Sequence, residues 1–338
     1  MNSNAAWART SPEVTVITPA YNVGKYIGQA VDSVLRQTFG DLEYLVIDDS
    51  STDDTSRTAL AHAGSDARFR LITVAHRGPG AARNVGLRES KAEFVSFLDG
   101  DDCWHDSYLE SQVSLIRSLP SDVGAVFCRS RMILENGTPV FIQRQRAGSY
   151  DFDDFLVHGC PARNGSSLLI RKSCFDDVGF FDETMPVAQD FDMWLRIGRG
   201  SATPIFWANR RYLVDLRLRA GSISRDRNAR INAVQNLLAK NVPLLQRLPS
   251  ALAYVGPALT ALKYGNESDV TAQWVREARS AGFLRLARSL TGARFLFWSS
   301  LSASMRNVVR SAQRGPREVV KGLDAVLRGR KQTLGPRG

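Results

Sequence analysis

The run Val95-Ser96-Phe97-Leu98-Asp99-Gly100-Asp101-Asp102 constrains the fold of this chain more than any other stretch. An apolar, β-forming segment ends abruptly in three acids. An unbroken apolar run suits a strand buried on both faces of a parallel sheet. Its acids then fall at the strand's carboxyl end, where open α/β sheets bind ligands. Three crowded carboxyl groups resist ionising together unless they share a cation. Mg²⁺ takes one or two carboxylates and completes its shell with substrate phosphate. The run therefore points to a metal–diphosphate site. The plainer alternative is an acidic loop before the next helix, with Asp102 as its N-cap.

The preceding residues supply the rest of such a sheet. Val14 to Thr18, Leu42 to Ile47, Phe69 to Val74 and Phe94 to Leu98 read as strands. Between them, Tyr26 to Arg36, Thr55 to His62 and Gly78 to Leu87 carry helical spacing or helix-start signals. Strand alternating with helix predicts a doubly wound α/β sheet. From residue 120 the pattern loosens. Short strands, or a hairpin around Asn136-Gly137, are expected at 124–128, 131–134 and 139–143. A short helix is expected at 152–157, a strand at 167–171, and helices at 174–179 and 190–197. Phe180, Phe181 and Trp194 read as core, and none of the four histidines, His62, His76, His105 and His158, is assigned a role.

With 338 residues, 43% of them apolar, the chain can build one large domain plus an appendage, or two modest ones. Cys103, Cys128, Cys160 and Cys174 form no CxxC pair and no zinc spacing with His, so they read as free thiols of a reducing compartment. Met1 to Glu13 holds no apolar signal core, and no run of about 18 apolar residues exists, so neither a secretory signal nor a spanning helix is expected. The net charge of +10 is uneven. Residues 221–338 carry 20 Lys+Arg against 6 Asp+Glu, while the first 220 carry 24 against 28. A basic, helix-forming C-terminal region thus follows an acidic body, and its partner is anionic: a membrane surface, a substrate or nucleic acid.

In order along the chain, four segments resemble the family 2 glycosyltransferases of the GT-A fold: Val16-Ile17-Thr18-Pro19-Ala20-Tyr21-Asn22, Val46 to Asp53, Gly80-Ala81-Ala82-Arg83-Asn84-Val85-Gly86, and Asp99-Gly100-Asp101-Asp102. Val187 to Arg196 is similar to the family's later acidic segment. The resemblance covers roughly residues 13–225. It implies a GT-A type, mainly parallel sheet that binds a nucleotide-diphospho-sugar, with a divalent metal, Mg²⁺ or Mn²⁺, as cofactor. Ala20 and Tyr21 lie just past a strand end, where Tyr21 can stack on or flank a base. The family gives Asp49 the N–H of a uracil-like base; the alternative is a helix N-cap. Arg83 meets base or phosphate, or else is solvated or ion-paired. By resemblance Asp101 is the main metal ligand and Asp99 contacts the ribose or donor sugar, while Asp102 caps a helix or supports the metal from behind.

The family places its catalytic base on the second residue of a Glu-Asp pair. Here that pair is Gln189-Asp190, so Asp190 is the expected base, the alternative being an acid favoured by a helix N-terminus. Direct displacement with an Asp base implies inversion. A His of the family is often found where Arg219 stands; Arg219 cannot ligate metal, and pairs with phosphate or stays solvated.

The expected layout is a flexible N-terminus (1–12), a GT-A domain (13–225), a basic helical region (226–328) and a disordered tail (329–338). The basic region either binds an anionic membrane surface through an Arg-rich amphipathic helix or packs on the catalytic domain or a second copy. Nucleic acid is disfavoured because no recognised module accompanies the charge. The expected activity is metal-dependent, inverting transfer from a nucleotide-diphospho-sugar, UDP-linked, to a glycan or lipid-linked acceptor in surface polysaccharide synthesis. The expected location is the cytoplasm, peripheral on the inner face of the cell membrane. The alternatives are a non-catalytic nucleotide-sugar-binding protein and a sugar-phosphate nucleotidyltransferase.

Overall fold

The computed structural model describes residues 11–142, 147–150, 164–200, 206–219 and 240. The helix expected at 152–157, His158, Cys160 and the expected helices of the basic region lie outside the described residues.

Four parallel strands form one half of a ten-stranded sheet: β1 (Val14–Ala20), β2 (Leu42–Asp48), β3 (Phe69–Thr73) and β4 (Phe94–Phe97). Their order is β3-β2-β1-β4, so β1 lies between β2 and β4 and the chain reverses direction across the sheet there. Val14, Val16, Ile17, Val46, Ile47, Val95 and Phe97 are fully buried, as the continuous apolar runs require of strands covered on both faces. Helices α1 (Ile27–Leu35), α2 (Thr55–Ala63) and α3 (Pro79–Glu89) make the crossovers. On α1, Ile27, Ala30, Val31 and Val34 carry the buried stripe.

Beyond β4 the sheet becomes mixed. β4 pairs antiparallel with β9 (Leu168–Arg171), β9 with β6 (Ala125–Leu134), and β6 runs parallel to β10 (Phe206–Leu218). The short β5 (Cys103–Trp104) and β8 (Gly148–Tyr150) pair with β10, and β7 (Pro139–Ile142) closes the expected hairpin with β6. Helices α4 (Tyr108–Ser118), α5 (Ser173–Val178) and α6 (Gln189–Gly200) complete the described elements.

Several expectations change. The two short strands at 124–128 and 131–134 are one, β6. β10, 13 residues long, was not anticipated. Asp102 caps no helix: β5 follows it, and α4 begins only after Ser107. Phe181 and Trp194 are core, but Phe180 is 43% exposed, with the Arg88 guanidinium 5.0 Å from its ring centre. Among the described residues Cys103, Cys128 and Cys174 are free thiols.

Gly86 brings α3 against β1. A Cβ there would lie 2.5 Å from Ile17 Cγ2 and 2.9 Å from its Cδ1, and Ile17 is fully buried. Gly86→Ala is expected to destabilise the fold by about 1–3 kcal/mol, the usual cost of overpacking a rigid core, read as a lowered midpoint in urea.

Candidate active site

The carboxyl ends of β2, β1 and β4 carry the site in three adjoining groups. The first is centred on Asp49, which follows β2 and is 2% exposed. Its Oδ1 accepts the backbone N–H of Arg77 at 2.9 Å, and its Oδ2 that of Gly78 at 2.8 Å. Asp49 thereby fixes the loop that opens α3. Its own N–H donates to the Ala20 carbonyl at 2.9 Å, tying β2 to the end of β1. His76 Nδ1 lies 2.9 Å from Asp49 Oδ2. The His76 ring stacks on that of Tyr21, centroids 4.2 Å apart, and Tyr21 is 43% exposed. The structure thus joins Ala20, Tyr21 and Asp49 and adds His76, which composition and spacing did not single out.

The second group is built on Arg83, 5% exposed on α3. Its Nη2 donates to Asp99 Oδ1 at 2.6 Å, and its guanidinium lies 5.7 Å from the ring centre of Phe181. Nε and Nη1 are buried without a hydrogen-bond partner. Such orphaned donors on a cation are costly unless a ligand oxygen meets them. Asp190, in the first turn of α6, faces the same charges. Burial pushes its carboxyl above the ordinary range; Arg83 opposes that rise and Asp99 adds to it. The turn into α6 is tight, with Ala188 at φ 60°, a conformation that costs a non-glycine residue about 1 kcal/mol or more and recurs at functional sites. Asp192 is turned away, paired with Arg196 at 2.9 Å one helical turn on.

Asn84 holds these pieces together. Its Nδ2 donates to the Phe181 carbonyl and to Glu183 Oε1, both at 2.9 Å, and its Oδ1 accepts the Phe181 N–H at 2.8 Å. The side chain is buried, so truncation strands both backbone groups. Asn84→Ala is expected to cost roughly 2–6 kcal/mol, at about 1–3 kcal/mol for each of the two stranded groups, measurable by chemical denaturation.

The third group is the acidic loop itself. Gly100 is needed small: a Cβ there would lie 2.9 Å from Val23 Cγ2 and 3.2 Å from Ile27 Cδ1. Asp101 Oδ2 accepts from Arg219 Nε at 2.5 Å. Burial raises the Asp101 carboxyl and the Asp99 charge raises it further, while Arg219 opposes both. Asp102 is buried, accepting from Ser166 Oγ at 2.7 Å and from the Arg217 N–H at 2.9 Å; burial and its acidic neighbours push its carboxyl well up. Ser166 Oγ also accepts the Asp99 N–H at 3.1 Å. The Arg217 side chain donates to the Asp101 carbonyl at 3.1 Å and to Gln29 Oε1 at 2.7 Å. Ser166, in the short 3-10 turn Gly165–Ser167 that precedes β9, and Arg217 of β10 therefore brace the loop, a role sequence reasoning missed.

Among the described residues no three His, Cys, Asp or Glu side chains gather closely enough to hold a metal by themselves. Asp99 and Asp101 nonetheless offer two hard oxygen donors, the number Mg²⁺ uses when substrate phosphates complete its shell. The repulsion felt by Asp101 is what a shared cation relieves. The donor set fits a cation that arrives with a diphosphate.

Residues 15–179 match the family model described as glycosyl transferase family 2. These residues are a family 2 glycosyltransferase domain. An uncharacterized glycosyltransferase of Rickettsia prowazekii is 29% identical over 201 residues, 57% of this chain and 60% of that protein. The chain thus spans less than two thirds of that relative's length. The UDP-Glc:alpha-D-GlcNAc-diphosphoundecaprenol beta-1,3-glucosyltransferase WfgD of Escherichia coli is 39% identical over 104 residues, 30% of this chain and 40% of that protein. Staphylococcus aureus TarS 1–349, in a crystal structure with UDP-GlcNAc, is similar with a TM-score of 0.61 at 17% identity, over 94% of this chain and 92% of that one. Mannosyltransferase PcManGT from Pyrobaculum calidifontis, in complex with GDP-Man and Mn²⁺, gives 0.57 at 20% identity, over 94% and 87%. These likenesses establish the GT-A type α/β fold: a mixed, mostly parallel sheet flanked by helices.

No helix among the described residues is long and apolar enough to cross a membrane.

Proposed function

We propose that this domain transfers a sugar from a nucleotide-diphospho-sugar, UDP-linked, to a hydroxyl of a glycan or lipid-linked acceptor in surface polysaccharide synthesis. The transfer is metal-dependent and inverts the anomeric carbon. The observation that carries this reading is the shared electrostatics of Asp99, Arg83 and Asp190 beside Asp101 at one end of the sheet.

The residues divide the donor between them. Tyr21, with His76 stacked on it, provides the stacking surface for a base, and Asp49, whose Oδ2 lies 2.9 Å from His76 Nδ1, accepts a base N–H. Arg83 holds Asp99 toward the ribose or donor sugar, and its two unpartnered nitrogens are donors for donor oxygens. Asp101, with Asp99 nearby, would hold the cation, which supplies charge neutralisation for the nucleoside diphosphate as it leaves. Asp190 takes the proton of the attacking acceptor hydroxyl. Its raised affinity for protons makes it a better base than an exposed carboxylate. The acceptor class is suggested by WfgD, whose name gives a diphosphoundecaprenol-linked sugar as its acceptor. Peripheral attachment to the inner face of the membrane through the basic residues after 221 fits such an acceptor.

The test is a transfer assay with a panel of sugar nucleotides and undecaprenyl-diphosphate-linked saccharides, with Mn²⁺ or EDTA. Metal-dependent release of one nucleoside diphosphate together with an extended acceptor supports the reading. Binding of a sugar nucleotide without turnover on any acceptor favours the non-catalytic alternative. Formation of a sugar nucleotide from a sugar phosphate and a nucleoside triphosphate would favour the nucleotidyltransferase.

A further inference from the structure

Each acid of the Asp99-Gly100-Asp101 motif is matched by an arginine of its own. Asp99 Oδ1 receives Arg83 Nη2 at 2.6 Å, and Asp101 Oδ2 receives Arg219 Nε at 2.5 Å. The Asp101–Arg219 pair is largely shielded, with side chains 15% and 22% exposed. The Arg219 guanidinium rests 5.9 Å from the ring centre of Tyr26, beside Arg217 at 5.4 Å from the same ring.

This pairing has a consequence for a divalent cation. An oxygen engaged by a guanidinium is not free to bind Mg²⁺ at about 2.0–2.1 Å, and the two cations repel. Arginine keeps its charge at any working pH, so Arg219 yields Asp101 only by moving. The two acid–arginine pairs are neutral as they stand. A dication alone adds two uncompensated charges to a shielded site, whereas a dication with a diphosphate adds none. The diphosphate also gives the displaced guanidinium a planar, two-oxygen partner.

We propose that Arg219 is a displaceable internal counter-cation of Asp101 that makes divalent-metal binding conditional on the diphosphate. The free protein holds the metal weakly, and the metal enters together with the donor. This rests on the reading of Asp101 as the metal ligand of a nucleotide-sugar site. Arg219 is a positioning residue here: it acts on the metal through Asp101.

The experiment is Mn²⁺ titration of the full chain, followed by electron paramagnetic resonance of free Mn²⁺, with and without UDP. Wild type is compared with Arg219→Ala, Arg219→Gln and Arg219→Lys, each checked by thermal unfolding. Without UDP, Arg219→Ala should bind Mn²⁺ at least about tenfold more tightly than wild type, the scale of a lost charge-assisted contact. UDP should remove most of that difference. Arg219→Lys, which keeps the charge, should stay as weak as wild type, and Arg219→Gln, neutral and no better a ligand than solvent, reports the charge effect if the Ala variant does not fold. Equal Mn²⁺ affinity of wild type, Ala and Gln variants without UDP overturns the inference and leaves the metal site standing. Failure of every variant, wild type included, to bind Mn²⁺ even with UDP overturns the Asp101 reading itself.

Discussion

Asp190→Asn is expected to lower the transfer rate by a factor of about 10²–10⁴, the range for removing a general base, with nucleotide binding unchanged. Asn keeps the shape of Asp190 and its acceptance from the Phe191 N–H, at 2.8 Å in the parent, so the turn into α6 survives. What it loses is the proton acceptor. The pH profile separates this from a structural defect. Burial raises the Asp190 carboxyl, Asp99 adds to the rise, and Arg83 only partly opposes it. A base works when deprotonated, so activity rises with pH through a point above the ordinary Asp value of about 3.9. The residual activity of Asp190→Asn should lack that acid limb. Transfer at the parental rate would remove Asp190 from the mechanism.

Asp101→Asn carries the second large effect. The substitution removes the charge that pairs with Arg219 and that would hold the cation. The nucleotide affinity measured with Mn²⁺ should fall to the value measured with EDTA, a loss of about 100-fold if the clamp contributes roughly 3 kcal/mol, within the several assigned to metal-held charge. Calorimetry on the folded variant measures this directly. Retention of the metal-dependent increment would place the cation elsewhere.

The half of the sheet that carries the site was legible because its strands are buried on both faces and write that burial as continuous apolar runs. The other half was not. β10 contains Asn209, Arg210, Arg211, Asp215 and Arg217 within 13 residues, which reads as loop. It is a strand because Phe206, Ala208, Leu213 and Val214 are buried in the sheet while its polar groups find partners on β6, on α4 and in the acidic loop. Asp215 stands in register with Arg131 of β6, and Arg131 Nε and Nη2 reach its two oxygens at 2.7 Å each. Arg131 and its neighbour Arg129 are also why β6 reads as two pieces. The pair becomes visible only once both strands are placed.

The site divides in the same way. Ala20, Tyr21, Asp49, Arg83, Asp99, Asp101 and Asp190 are carried by contiguous motifs and were named from them. Ser166 and Arg217 act on the acidic loop from 67 and 116 residues away, and nothing local marks them. His76 is an ordinary loop histidine until Tyr21 and Asp49 are brought beside it. Arg219 was noticed where the resemblance led one to expect a His, but phosphate and solvent were its anticipated partners. The structure gives it Asp101.

Calorimetric titration of the full chain with UDP, GDP, CDP and dTDP, each with Mn²⁺ and with EDTA, tests the donor site most directly. Metal-dependent binding of one nucleotide, UDP on this account, is the predicted result. A folded protein that binds none of the four under either condition would contradict a nucleotide-sugar site at the ends of β1, β2 and β4.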